Sequence, residues 1–552
     1  MPKIVISSSN QVPIHQKMCQ VRSRETSLLH GGGQLWKILS NGLRFQGNVK
    51  RALEATFISK DHTTAEEAVT ESSLYDRDMI AHLIELFVQE VHTKNPVLDL
   101  SQIQADTFHV LTKGFGQDPE TCFVLLYCAL GAISCTFNSK SLHTFTGDCT
   151  SALRYQNHVH YFTGAQKRFG LLWTQSRVKH AQGYFLAGVY LMYSMRPWQA
   201  LESFSFASNA CLTHMMAARV ERKIRTDGAD GLECSENEFT PCEQRIYWSC
   251  MKSESILIFI CFLRELAHEY GLKLSPLAQL ENPPLLPSPP NLMTTDGNLG
   301  SNSIFLHRKD SLADLQERSW YYYLTEITLR KLEMQIHDSF ERLQDENLSQ
   351  FSGETSQDES SCLKDFLQCI VTAIAEFERQ LQSCWDQLSS AVDIDLDDVT
   401  TGCVDELCEY LRIKYLWIKH DLLRISLTLV LNLDIYKTRM VVANDISGLA
   451  ETLIRMANDG LKVAVSLMHV SLNTHRNHGS WFGPRIAVMS ALEVLAAKKS
   501  ADRRFQEPAG FQGAKESLIA GLRWWSPHIP DANEYLKILS SLDPMFSESS
   551  DD

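Results

Sequence analysis

A chain of 552 residues and 62.6 kDa has room for several units at roughly 150 residues per domain, or for one large helical domain. With 44% hydrophobic and 21% charged residues, 17 Pro and 27 Gly, it is neither collagen-like nor disordered throughout. A formal charge of −14 excludes a surface that binds nucleic acid over most of its area, because neutralising phosphates takes clustered Lys and Arg.

The charge is unevenly spread. Residues 1–60 hold nine Lys or Arg against Glu25 and Glu54, a net of +7, which leaves −21 for the remainder. Residues 1–72 carry the run Ser7, Ser8, Ser9 and the run Gly31, Gly32, Gly33, with little periodicity, and read as a basic, largely disordered arm. Such an arm is solvated, with at most weak nucleic-acid binding or an import role. The opening MPKIVISSSNQVPIHQK lacks the apolar stretch of a signal peptide, so the 15 cysteines read as reduced thiols and not as a disulfide framework.

Residues 73–544 read as an all-helical body. In DRDMIAHLIELFVQEVHT, apolar residues recur at three- and four-residue intervals from Ile80 to Val91, and Asn95-Pro96 ends the pattern. The apolar run Cys122–Phe137 is shorter than the roughly 20 residues that span a bilayer, so it predicts a buried core helix in which cysteine serves as a small hydrophobe. Residues 158–219 predict stacked antiparallel helices, with Pro197 in the first turn of the last. EQRIYWSCMKSESILIFICFLRELAHEYGLKL predicts a central helix, and ENPPLLPSPP breaks the pattern. Further helices are expected over SWYYYLTEITLRKLEMQIHDSFERL, CLKDFLQCIVTAIAEFERQLQSCW, ELCEYLRIKYLWIKHDLLRISLTLVL, ISGLAETLIRMANDGLKVAVSLMHVSL, 481–499, AKESLIAGLRWWSP and EYLKILSSL. Polar linkers are expected near 221–241, 282–312, 345–361 and 390–403, and an acidic tail over 545–552. No period of 20 to 50 residues supports a solenoid.

Candidate chemistry is sparse. Asp393, Asp395 and Asp397 imitate the start of a calcium loop, but Asp398 stands where the turn needs Gly and Val404 where it needs Glu, so the stretch reads as a solvated acidic linker. Cys403 and Cys408 lack a matching second pair, and Cys234, Cys242 and Cys250 are each eight apart, against the close ligand pairs of tetrahedral zinc. His475 and His478 are near enough in sequence to share a metal, yet no carboxylate or cysteine lies nearby, and a loop or cap role is expected. No nucleophile elbow, phosphate-binding loop, dinucleotide fingerprint or zincin motif occurs. The chain is therefore expected not to be an enzyme, with no catalytic, cofactor-binding, metal or DNA-binding residues assigned and no cofactor.

A series of segments taken together resembles one family. KNPVLDLSQI with ETCFVLLYCALGAISC, YFTGAQKRFGLL with HAQGYFLAGVYLMYSMRPWQALESFSFASNA, and CEQRIYWSCMKSESIL with RELAHEYGLKLSPL and PPLLPSPP come first. SWYYYLTEITLRKL, LRIKYLWIKHDLLRISL, NHGSWFGPRIAVMSALEVLAA and LIAGLRWWSPHIPDANEYLKILSSL complete the series. In this order they are similar to the helical regulatory domain, or middle homology region, of fungal zinc-binuclear-cluster transcription factors, over about Leu74 to Leu542. The resemblance implies an all-α domain that controls a transcription factor. Members of that family open with six closely spaced zinc-binding cysteines, whereas Cys19 is the one cysteine before Cys122 here, so no metal or base-contacting residue carries over. A regulator without its own DNA-binding module, a gene model lacking an upstream exon, and an arm that replaces the module each account for this, and zinc is expected as a cofactor only if an upstream cysteine cluster is missing from this chain.

The resemblance leads to the expectation of a nuclear transcriptional regulator, controlling metabolic or secondary-metabolite genes through contacts with the transcription machinery or another transcription factor. DNA contact is expected to be indirect or weak, membrane contact absent, and room is left for a small-molecule effector and a homodimer. The alternative is a small-molecule-sensing helical module without promoter binding. Tyr184, Tyr190, Trp198, Trp248, Tyr322 and Trp417 are candidates to line a groove or pocket, and each is individually more often plain core packing. The basic clusters 222–225 and 498–504 are weak import signals, more often solvated surface.

Overall fold

The computed structural model describes residues 74–134, 152–173, 177–226, 239–259, 275–280, 283–287, 309–350, 358–388, 403, 405–437, 447–472, 475–500, 503–529 and 531–546. Among them are fifteen α-helices and no strand, so the all-α class is established. The basic arm, Asp393, Asp395, Asp397, Cys234 and the tail beyond Phe546 lie outside the described residues.

Helix α1 (Arg77–Leu86) starts where the Asp76 carboxylate accepts the Asp78 N–H, and it runs on as a π-helical stretch, Phe87–His92. Next in the chain are helices α2 (Leu100–Lys113), α3 (Pro119–Ile133), α4 (Ala152–Gln166), α5 (Phe169–Leu172), α6 (Arg177–Tyr193), α7 (Pro197–Thr226) and α8 (Pro241–Phe259). Every residue of α3 from Thr121 to Ile133 is buried, as its apolar circumference requires. It forms the axis of the first core, packed by α1, α2, α4 and α6. The approach of α1 depends on Gly131: a Cβ there would stand 2.0 Å from the Leu83 carbonyl oxygen.

Helices α6 and α7 form an antiparallel hairpin whose turn closes by two bonds, Arg196 N–H to the Leu191 carbonyl at 2.9 Å and Met195 N–H to that of Met192 at 3.1 Å. This Schellman closure puts Met195 at φ 60°, in the left-handed region.

Two long helices, α9 (Lys309–Gln350) and α11 (Glu406–Lys437), carry the centre of the molecule, with the amphipathic α10 (Asp358–Asp386) laid across them. Helix α12 (Ser447–Val470) leads into a second core with α13 (Gly483–Lys499), α14 (Phe511–Trp525) and α15 (Ala532–Leu542). Here α13 plays the part of α3, buried from Pro484 to Ala497. No helix among the described residues is long and apolar enough to cross a membrane.

The boundaries differ from the sequence reading at several points. Helix α7 reaches Thr226, α9 occupies residues 309–312 and 345–350, and α10 begins at Asp358, all inside stretches expected to be linkers. Their high content of polar residues gave these stretches loop-like composition. Phe546, read as part of the acidic tail, is buried at 3% exposure in the second core.

Candidate functional site

The polar feature that the fold assembles is a buried ionic cluster where α9, α11, α8, the α1–α2 connection and the α12–α13 loop meet. On α9, Glu326, Arg330, Glu333 and His337 recur at four, three and four residues, a core-facing stripe occupied by charge. On α11, Glu406, Tyr410, Lys414, Trp417, Asp421 and Arg424 obey the same rule.

Lys94 enters from the end of the π-helical stretch. Its Nζ donates to both Glu406 oxygens at 2.7 and 2.6 Å, while His475 Nε2 lies 3.0 Å from Glu406 Oε1. Burial alone would push the Glu406 carboxyl up; the Lys94 ammonium and His475 outweigh it and hold the group well below the usual carboxylate range. From α8, Lys252 Nζ donates to Glu326 Oε2 at 2.5 Å and to the Lys94 carbonyl at 3.0 Å. Against its own burial, Lys252 keeps Glu326 ionised.

Farther along the stripe, Glu333 accepts from Lys414 Nζ at 2.6 Å and from the Trp417 indole at 3.2 Å, and pairs with Arg330. Burial and the neighbouring Arg330 charge bring Lys414 down to about 8. Asp421 lies 3.1 Å from His337 and accepts from Arg424 at 2.6 Å, and His420 meets Glu493 of α13 at 2.6 Å. Five cations (Lys94, Lys252, Arg330, Lys414, Arg424) thus balance five carboxylates (Glu326, Glu333, Glu406, Asp421, Glu493).

Within this cluster the Tyr322 hydroxyl, Glu326 Oε1 and both ring nitrogens of His478 make no hydrogen bond of normal geometry, although Tyr322 and Tyr410 both lie close enough to feel the Glu326 carboxylate. His478 stacks on Tyr410 with ring centroids 5.3 Å apart, and burial pushes its imidazole down to about 4. The arrangement clamps together segments more than 300 residues apart in sequence, Lys94 and Glu406 being separated by 312.

The six aromatic candidates scatter. Tyr322 and Trp417 line the cluster. Tyr190 stacks on Phe162 at 3.9 Å in the first core, and half-buried Tyr184 sits between Phe169, His180 and Phe206. Trp248 donates its indole N–H to the Leu285 carbonyl, and Trp198 stands 41% exposed on α7. They form no common groove.

His475 and His478 do meet a carboxylate partner environment, supplied by Glu406 and Glu326 from distant helices, which the local sequence could not show. Cys242, a half-buried thiol, contacts Gln182 at 3.1 Å, and burial raises it to about 11; burial likewise raises Cys403 to about 12. Cys122 and Cys128 are buried as expected, Cys211, Cys250 and Cys408 are buried as well, and Cys369 is exposed on α10. It borders an open groove of about 600 Å³ between α9 and α10 that also takes in Leu343 and Phe377.

Among the described residues, one three-residue group has metal-ligand spacing, His109, Asp118 and Glu120, where Asp118 already caps α3 by accepting the Thr121 N–H at 2.7 Å. The signal that would have revealed the ionic cluster was present in the sequence, as charged residues occupying core-phase positions of α9 and α11. Comparison with known proteins gives no match to any family model, curated protein or solved structure.

Proposed function

We propose that the chain is a non-enzymatic transcriptional regulator of the fungal zinc-binuclear-cluster type, acting in the nucleus through protein contacts of its helical domain. One observation carries the reading. Segments that bear the resemblance each send a charged or polar side chain into one buried cluster: Lys94 from KNPVLDLSQI, Lys252 from CEQRIYWSCMKSESIL, Glu326 from SWYYYLTEITLRKL, Lys414 from LRIKYLWIKHDLLRISL and His478 from NHGSWFGPRIAVMSALEVLAA. Pieces that are individually degenerate patterns are thereby parts of one integrated unit, which supports treating the resemblance as a property of the whole domain. A balanced ionic core also suits a scaffold better than a reaction centre, since its carboxylates are held ionised by fixed cations.

The test is a tethering assay. Fused to an unrelated DNA-binding domain, the full chain is expected to raise or lower transcription from a cognate reporter several-fold, and a signal identical to the DNA-binding domain alone would overturn the reading. The unfused chain is expected to give no sequence-specific DNA shift at physiological salt.

A second reading, a small-molecule sensor, draws on the two His478 ring nitrogens, buried polar atoms that a ligand or waters would satisfy. Thermal stabilisation by a polar metabolite, lost in His478→Phe and without any effect in the tethering assay, would favour it.

A further inference from the structure

Helix α7 presents an outer face that is largely exposed. Trp198, Phe206, Met216, Val220 and Ile224 are 41%, 59%, 56%, 58% and 69% exposed, while Phe204, Ala207, Cys211 and Met215 on the opposite side are buried in the first core. Glu202, Asn209 and Thr213 complete the outer stripe and are exposed as well. At about 100° per residue these eight positions fall within an arc of roughly 80°, a straight line along the helix.

The stripe is symmetric about its own middle. Positions 198 and 224, 202 and 220, 206 and 216, and 209 and 213 lie at equal distances on either side of residue 211. A helix with this spacing meets itself in register when run backwards, with Glu202 against Val220 as the one polar–apolar pairing. Two antiparallel copies related by a two-fold axis set Trp198 of one against Ile224 of the other and Phe206 against Met216, a sulfur–aromatic contact, while the polar Asn209 and Thr213 face each other near the axis.

With the five apolar residues roughly half exposed, complete coverage would remove on the order of 500 Å² per copy and about 1,000 Å² for the pair, the lower bound for a specific interface. Trp173, 75% exposed, widens the patch, because it contacts His180, which contacts Tyr184, which in turn contacts Phe206.

We propose that the outer face of α7 is a homodimer interface, in which two copies of the chain pair through antiparallel α7 helices about an axis level with residue 211. This goes beyond the regulatory reading and stands without it.

Light scattering and sedimentation of the full chain test the proposal. The wild-type chain is expected to be a dimer at micromolar concentration. Phe206→Glu and Met216→Lys, at exposed positions, are each expected to weaken self-association ~30-fold or more with helicity unchanged. Val220→Glu serves as the second disrupting change if either variant loses helicity. Mixing F206E with M216K is the register test: in the mixed pair the introduced acid meets the introduced base, and the other side keeps its native Phe206 and Met216, so dimers are expected to return. A monomeric wild type, variants that dimerise as tightly as the wild type, or a mixture that stays monomeric would each overturn the proposal.

Discussion

Helices α4 to α7 and the pair α9 and α11 bury their facing sides by opposite chemistry. In the first region rings contact rings, from His158 and Tyr190 through Phe162, Phe169 and Tyr184 to Phe206, with polar links from His158 Nδ1 to the Tyr190 hydroxyl at 2.7 Å and from Arg177 to the Thr213 carbonyl at 3.3 Å. In the second, Lys414 of α11 pairs with Glu333 of α9 and Asp421 of α11 faces His337 of α9, while Arg330 with Glu333 and Asp421 with Arg424 pair within their own helices. Apolar packing is non-directional and tolerates small adjustments of one helix along another. Ion pairs between helices, Lys252 to Glu326 at 2.5 Å and Lys414 to Glu333 at 2.6 Å, hold a register, and they penalise any arrangement that leaves one member alone. The difference teaches where specificity resides: the aromatic region supplies area, and the ionic region determines which helices meet.

The sharpest way to break the contrast is to orphan a buried charge. Glu406→Ala leaves Lys94 without its carboxylate and is expected to cost about 3–5 kcal/mol, whereas the double change Lys94→Met with Glu406→Leu is expected to recover most of that loss. Urea unfolding of the three chains measures it, and a double variant no better than the single one would show that register, not charge compensation, dominates. In the aromatic region, Phe162→Ala is expected to cost about 3 kcal/mol through a cavity beside Tyr190. No second substitution of charge should rescue it.

The smallest effect is expected from pH. His478 sits at about 4 because burial disfavours its charged form, with Glu326 and Glu406 opposing and Lys252 and Lys94 assisting. Its unfolded value is about 6.5, so between those limits the unfolded chain takes up a proton that the folded chain refuses. Stability therefore falls as pH drops from about 6.5 toward 4, by at most about 3 kcal/mol from this residue. His478→Gln is expected to flatten that slope in unfolding curves taken at pH 7 and pH 5. His92, also lowered to about 4 by burial, retains its share of it.

Much of the fold is legible in the sequence. Ile80, Leu83, Ile84, Phe87, Val88 and Val91 spell out one helical face, and all are buried. The apolar circumference of α3 predicted an all-round buried helix shorter than a bilayer, as found. The ionic cluster was harder, because a charged residue at a core-phase position looks like noise in a hydrophobic pattern until its partner is known. His475 shows why: its carboxylate partner, Glu406, lies on another helix, so no local spacing rule announces the pair.

Sequence alone determined the helical class, the +7 arm set against an acidic remainder, and the lack of any catalytic motif, since periodicity, charge and motif spacing are properties of neighbouring residues. Tertiary structure decided which charges are paired and which apolar face stays outside. Helix α7 is apolar on two sides, Phe204 and Met215 on one and Phe206 and Met216 on the other. Only the positions of α6 and α8 settle which side is buried, because burial depends on the neighbour that arrives and not on the helix that receives it.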